Sequence, residues 1–570
     1  MWSPQKLIPL LTLCLASLTS ARISITGATT GINSASGEAP PRLNINTLHK
    51  QGGPAWTLYV RALAAMQEAK SSDASSYFQI AGIHGRPLIP WDGDGKSVGP
   101  NGYCPHAQVL VQHALTLAEE YPANVRAKYR SAAQTLRIPY WDWADDATIP
   151  PSVGQAQIQV DTPKGKKTIR NPLYSYNFPK EAVDGKYGSI TGNRDATKTV
   201  RCSAAEANAR MAGVNFKGLV YDAFTRSDTF AKVASVGSDG VVMSFEQPHN
   251  SIHVRAACGN NFAYTSDSAF DPLFMLHHAN VDRLWAMWEE LYPNQKALSP
   301  PYKSGGTFAI PRGTTISNTS PMLPFYGPGN KVHTSAHVQD ISTFGYTYPE
   351  IPKGVKSTTS RRNAMKATVN KLYGPAAPKP KTRRALEYVD DIVDEVVDTV
   401  ENAVDDEVDL VNDLLDVEFF ANIRVNGSHI PTPCEINVYI GGKVAGSFDI
   451  LTAPHGGGIV EGEIPLEGLV QAIGLGAIAK TGIQAVSILG ENVHVEILHP
   501  NGTAIPYEQY DSEFEIDLVD IDVTLDSSPD VFPQYGESRH TPVRAKPAPL
   551  RKKCGRRNRY ADIPGVKLRV

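Results

Sequence analysis

Two histidine clusters carry most of the chemistry this chain could do. His249 and His253, in Glu246-Gln247-Pro248-His249-Asn250-Ser251-Ile252-His253, stand four residues apart. Residues at that spacing share one face of a helix, so both imidazoles can address a single ion. The run Asp271-Pro272-Leu273-Phe274-Met275-Leu276-His277-His278 follows shortly and can supply a third ring from a later helix. Neutral imidazoles suit copper or zinc better than magnesium or calcium. An isolated HxxxH pair is commonly a polar patch on a helix surface; the second cluster is what makes this pair a candidate metal site.

Such rings need rigid elements to hold them. Apolar residues at three- and four-residue spacing predict helices over 55–70, 108–120, 124–136 and 272–291, with Gly- and Pro-rich loops between them. Inward-facing ligands on neighbouring helices are a known use of a helix bundle. The first domain is therefore read as 22–350, followed by a linker over 351–418. That linker holds a dibasic pair, Arg383-Arg384, and then an acidic stretch, 387–418, with fourteen acidic and no basic side chains, which predicts an acidic amphipathic helix with a solvated face. Beyond it the period changes to two. Runs over 419–425, 435–440, 446–451, 458–464, 492–498 and 514–525 predict a β-sandwich spanning 419–540. The basic residues of 541–570 are read as a loose tail.

The segment Asp271 to Asp282 resembles the second copper signature of the tyrosinase family, D-P-x-F-x-x-x-H-x-x-x-D, with His278 in the ligand position and His277 as its non-ligand neighbour. The family's upstream H-N-x-x-H pair corresponds to His249 and His253, and its fungal members often carry a glutamate where Glu246 stands. Tyr77-Phe78-Gln79-Ile80-Ala81-Gly82-Ile83-His84-Gly85-Arg86-Pro87 and Gly102-Tyr103-Cys104-Pro105-His106 are similar to the first two ligand segments for the other copper. Leu136-Arg137-Ile138-Pro139-Tyr140-Trp141-Asp142-Trp143 and Tyr346-Thr347-Tyr348 resemble further landmarks, so the likeness runs over roughly 22–350.

What the resemblance implies is a mainly α helical-bundle domain of the type-3 copper kind with two copper ions. His249, His253 and His278 would hold one, and His84 and His106 belong to the set for the other. It implies ortho-hydroxylation of monophenols and oxidation of o-diphenols to o-quinones with dioxygen, as in melanin or phenolic pigment formation. Glu246 with Asn250 would hold a water that takes the phenolic proton. Phe274 would line the substrate pocket, and Val254 would stand at its entrance. Asp282 would orient a ligand ring, while His277 would satisfy a buried hydrogen bond. Cys104 stands where fungal members form a thioether to the ligand imidazole. The carboxy-terminal β domain would cover the pocket and keep the enzyme latent until a protease cuts near Arg383-Arg384. A catechol or o-aminophenol oxidase would share every ligand.

One departure stands against these matches. The family continues past its second histidine with F-x-x-W-H-R-P, whose histidine is the third ligand of the first copper; this chain has no such segment after His106. The only nearby replacement is His113, otherwise a histidine on a helix surface. The resemblance thus leaves two readings open. Either the first copper site is incomplete and the chain is an inactive single-copper relative, or the sequence omits a piece of an active gene.

Composition bounds the remaining possibilities. At 570 residues the chain is long enough for two domains, and 41% hydrophobic with 20% charged residues is ordinary for a globular protein. A net charge of −3 argues against a nucleic-acid partner. Lys6 followed by the apolar run 7–18 and Thr19-Ser20-Ala21 fits a secretory signal over 1–21, too short to span a bilayer; a cytoplasmic location is the alternative. Six scattered cysteines indicate no disulfide framework.

Overall fold

The structure is a computed structural model describing residues 22–92, 106–190, 197–237, 243–306, 310–375, 417–453, 458–472, 486, 489–490, 493–526 and 528–548. Several expectations fall outside the described residues: the leader 1–21, Cys104, the side chain of His106, Arg383-Arg384, and the acidic stretch up to residue 416.

The expected helices of the first domain are present as Gly53–Glu68, His106–Ala118, Ala123–Thr135 and Leu273–Leu291. Pro54 sits in the first turn of Gly53–Glu68, where a missing N–H costs nothing. On His106–Ala118, Leu110, Ala114 and Ala118 recur every fourth residue and are fully buried, and the small alanines let this helix lie close against Gly53–Glu68. Trp141 and Trp143 of the Tyr-Trp-Asp-Trp run are buried in the same core, and the Trp141 N–H donates to the carbonyl of Leu276 at 3.0 Å. The 136–143 segment is thereby tied to the helix that carries His277 and His278.

A buried arginine locks that helix further along. Arg283 donates to Asp142 at 3.0 Å, to Glu350 at 2.7 Å and to the Tyr373 hydroxyl at 2.8 Å. Tyr373 corrects one expectation. The stretch read as the start of the linker contains a helix, Thr358–Tyr373, whose Met365, Val369 and Tyr373 belong to the first domain's core. Its basic surface masked that apolar face in the sequence.

In the second domain all six expected strands are found, as Val417–Asn426, Cys434–Ile440, Lys443–Ile450, Ile459–Pro465, Val493–Leu498 and Phe514–Thr524. One sheet runs in the order Ile459–Pro465, Val417–Asn426, Phe514–Thr524, Gln534–Val543. The other orders Ala504–Ile505, Val493–Leu498, Cys434–Ile440 and Lys443–Ile450, with Lys546–Pro547 added alongside Val493–Leu498. Ile423 and Val425 of the first sheet and Ile436 and Val438 of the second share one apolar cluster. The expected loose tail from 541 is corrected over its first residues: Gln534–Val543 and Lys546–Pro547 are paired strands. Their side chains are largely exposed, so no hydrophobic alternation announced them.

The two domains meet through buried charge. Arg226 pairs with Glu463 at 2.6 Å, Arg255 with Asp449 at 2.7 Å, and Arg210 with Glu435, all six side chains being buried. No helix among the described residues is long and apolar enough to cross a membrane.

Candidate metal centre

The first histidine pair lies on the helix Glu246–Ala257, the third ring on Leu273–Leu291. Pro248 stands in the first turn, where its lack of an N–H is harmless, so the Glu-Gln-Pro-His start is compatible with a helix. At four-residue spacing the His249 and His253 ring centroids are 4.7 Å apart. His278 completes the group, with its Nε2 3.2 Å from His253 Nε2 and its ring 5.0 Å from His249.

The second ring nitrogen of each of the first pair has its own oxygen. His253 Nδ1 donates to the carbonyl of Phe262 at 2.8 Å, and His249 Nδ1 donates to Asn250 Oδ1 at 3.0 Å. A carbonyl can only accept, so the tautomer is set and Nε2 keeps its lone pair. Burial acts in the same direction. It lowers His249 to about 4 and puts His253 and His278 well below the ordinary imidazole range, with the neighbouring histidines adding to the effect. Three buried imidazoles gathered with ring nitrogens close together are a donor set that fits a copper or zinc ion.

His277 belongs to the same group, 4.7–5.0 Å from the other three rings. The buried hydrogen bond expected for it is absent: neither ring nitrogen has a partner among the described residues. Its surroundings are ring faces, including Trp143 and Phe262, which offer no oxygen in reach.

His84 lies beside this group. Its ring is 6.3 Å from His278, and Phe274 touches both, stacked on His278 at 3.9 Å and edge-on to His84 at 4.8 Å. His84 Nδ1 donates to the carbonyl of Thr265 at 2.8 Å, and burial lowers the ring to about 4. The loop reaches Thr265 because Gly85 has no side chain: a Cβ there would lie 2.4 Å from the carbonyl oxygen of Ser266. His113 is half-buried on its helix, within the field of Asp73, and is not among the histidines that gather here.

Glu246 is turned towards the preceding loop. Its Oε2 accepts from the Val236 N–H at 2.9 Å, Ser235 bonds to it as well, and burial raises its carboxyl above the usual range. Asn250 is buried and committed to His249. Val254, expected at an entrance, is fully buried. Asp282 differs more clearly from expectation. It accepts from the hydroxyls of Tyr346 and Tyr348 and from Arg42, and so braces the Tyr-Thr-Tyr segment instead of a ligand ring. Two long polar partners from 346–348 outcompete any imidazole for the same oxygens.

Cys202 and Cys258 form a disulfide, contrary to the absence of a framework in the sequence. Cys258 caps the ligand helix in the left-handed conformation, so the bond fastens the helix end. A separation of 56 residues gave no local signal for it.

Known proteins give a consistent picture. The family description "common central domain of tyrosinase" matches residues 74–291. The chain is 31% identical over 403 residues to a tyrosinase of Podospora anserina, covering 62% of this chain and 70% of that protein. It is 31% identical over 404 residues to a tyrosinase of Neurospora crassa and 30% identical over 369 to polyphenol oxidase 2 of Agaricus bisporus. Those matches take in 62% and 59% of this chain but only 59% and 66% of the two relatives, less than two thirds of either. Among solved structures, a recombinant mushroom tyrosinase superposes with a TM-score of 0.73 at 20% identity, over 92% of this chain and 99% of that one. An apo-protyrosinase of Aspergillus oryzae gives 0.65 at 18%, over 93% and 99%.

Proposed function

The chain belongs to the tyrosinase family, and from that premise we propose that it is a type-3 copper phenol oxidase. It hydroxylates monophenols at the ortho position and oxidises o-diphenols to o-quinones with dioxygen, in pigment formation such as melanin. The observation that carries this reading is the donor set: His249, His253 and His278 bring ring nitrogens together at one place, and the first two rings are oriented by oxygens on the far side.

His249, His253 and His278 would hold one copper, and His84 with His106 would contribute to a second. Bound copper would supply the electron transfer to dioxygen that carbon, nitrogen and oxygen side chains cannot provide. The protein's part is positioning and proton handling. Phe274, flat against His278, presents an aromatic wall on which a phenol ring can pack. Glu246, near one turn before His249 and close to Asn250 on the same helix, would hold the water that takes the phenolic proton. Cys104 would fix the His106 ring by a thioether. In the same reading the second domain is a β-sandwich that covers the pocket. The solved relatives include latent and pro-forms, which supports a form of this chain that is activated by a protease cutting at Arg383-Arg384. Export through the secretory pathway, with removal of 1–21, completes it.

The missing F-x-x-W-H-R-P segment favours a second reading, an inactive relative holding one copper. Metal content separates the two. The full chain is loaded with copper, dialysed and assayed for bound metal, then tested with a monophenol and an o-diphenol before and after limited proteolysis. Two ions per chain with diphenol turnover support the oxidase; one ion and no turnover in either state overturn it.

A further inference from the structure

The strand Ile459–Pro465 is an edge of its sheet, paired on one side with Val417–Asn426. An edge strand leaves a row of N–H groups available to another segment. Here that segment comes from the first domain, just ahead of the ligand helix. Glu461 N–H donates to the carbonyl of Val236 at 2.7 Å. The Val236 side chain is buried within the second domain's apolar cluster, although its neighbours in sequence belong to the first domain. The Val236 N–H in turn donates to Glu246 Oε2 at 2.9 Å.

The next two strand residues grip the helix start itself. A Cβ on Gly462 would lie 2.3 Å from Gln247 Oε1 and 2.6 Å from the Phe448 ring, so a larger residue would displace Gln247, and Gln247 Nε2 donates to the carbonyl of Glu463 at 2.7 Å. Glu463 also pairs with Arg226 through its carboxylate. Glu461 and Glu463 of one edge strand therefore bond Val236, whose amide reaches Glu246, and Gln247, the residue after Glu246.

We propose that the second domain positions Glu246 through Val236: docking of the edge strand fixes Val236, whose amide then claims one carboxylate oxygen of Glu246. This rests on the reading of Glu246 as the proton-handling carboxylate. While the strand is docked, the Val236 amide and a water compete for Oε2. Loosening the strand frees that oxygen for the water, so the device restrains monophenol hydroxylation more than diphenol oxidation, because the first hydroxyl of an o-diphenol is the more acidic and gives up its proton more readily.

The backbone nature of the contact gives a clean test. Glu461→Pro removes the N–H that reaches Val236 and sits on a sheet edge, where proline is tolerated. Glu461→Ala keeps the N–H and serves as the matched control. In the full chain, amide exchange of the segment containing Val236 is expected to rise about two- to tenfold in E461P, the worth of one hydrogen bond, and to stay unchanged in E461A, with 417–426 protected in both. Unchanged exchange in E461P overturns the proposal. In the copper-loaded chain the ratio of monophenol to diphenol turnover is expected to rise by a similar factor in E461P alone. If exchange rises in E461P and in Glu246→Ala while neither alters that ratio, the bridge to Glu246 stands and the proton-handling role fails. If the ratio responds to E246A but not to E461P, the positioning role of the strand is overturned.

Discussion

Phe274 lies against His278 with ring centroids 3.9 Å apart and planes 24° from parallel, one helical turn before it on the same helix. The two rings are packed as a unit: Phe274 also meets His84 edge-on and is almost fully buried. The phenylalanine ring is thus a support for His278.

Phe274→Ala should therefore cost stability and metal binding together. Loss of a buried phenylalanine is worth about 3–5 kcal/mol. Denaturant unfolding of the metal-free chain should show this loss, and copper should dissociate faster from the variant. A loss below about 1 kcal/mol would show that the site collapses onto the cavity and that the ring is no support.

Arg255, two residues after His253, is buried and gives Nε and Nη2 to the two oxygens of Asp449 at 2.7 and 3.1 Å. Arg255→Met strands a buried carboxylate, which costs about 3–5 kcal/mol, whereas replacing both partners by apolar residues of like size is often neutral. R255M should destabilise strongly and R255M with Asp449→Leu should recover most of the loss. Equal destabilisation in single and double variants would mean that the pair does not act as one.

Glu289 supplies a pH test remote from the metal. Burial pushes its carboxyl up to about 7, and its hydrogen bond from Trp285 at 2.9 Å only partly opposes this. The folded state then binds a proton that the unfolded state releases between about pH 4.5 and 7. The contribution is fully present below about pH 4.5 and is lost as pH rises through about 7, a swing on the order of 3 kcal/mol. Glu289→Gln cannot ionise, so its stability relative to wild type should grow over that window. Parallel stability curves from pH 4.5 to 7 would refute the assignment.

The Cys202–Cys258 bond closes a long loop onto the end of the ligand helix. Replacing both cysteines by alanine should lower stability by about 2–4 kcal/mol. Thiol reductant should produce the same change in wild type and none in the double variant. Agreement between reduced wild type and the variant ties the effect to the bond.

The site was legible in part. The i, i+4 spacing of His249 and His253 and the signature around His278 pointed to three rings that the structure does gather, because helical periodicity and a helix start after Asp271-Pro272 are local properties. The oxygens that orient those rings were not legible. Phe262 and Thr265 act through backbone carbonyls, which every residue has, and Asp282 took hydroxyl and guanidinium partners distant in sequence. The helix Thr358–Tyr373 does not announce itself as part of the first domain, because its apolar face is narrow and its surface basic.

The sequence by itself determined the helical first domain, the strands of the second, and the identity and spacing of the clustered imidazoles, since each follows from side-chain period and type along a short stretch. Only the tertiary structure decided what stands behind each ring, where Glu246 points, and how the edge strand Ile459–Pro465 meets Val236 and Gln247. Those relations join residues tens to hundreds of positions apart through single hydrogen bonds and close backbone approaches. Such contacts depend on how two domains dock, and no local pattern in either partner specifies that.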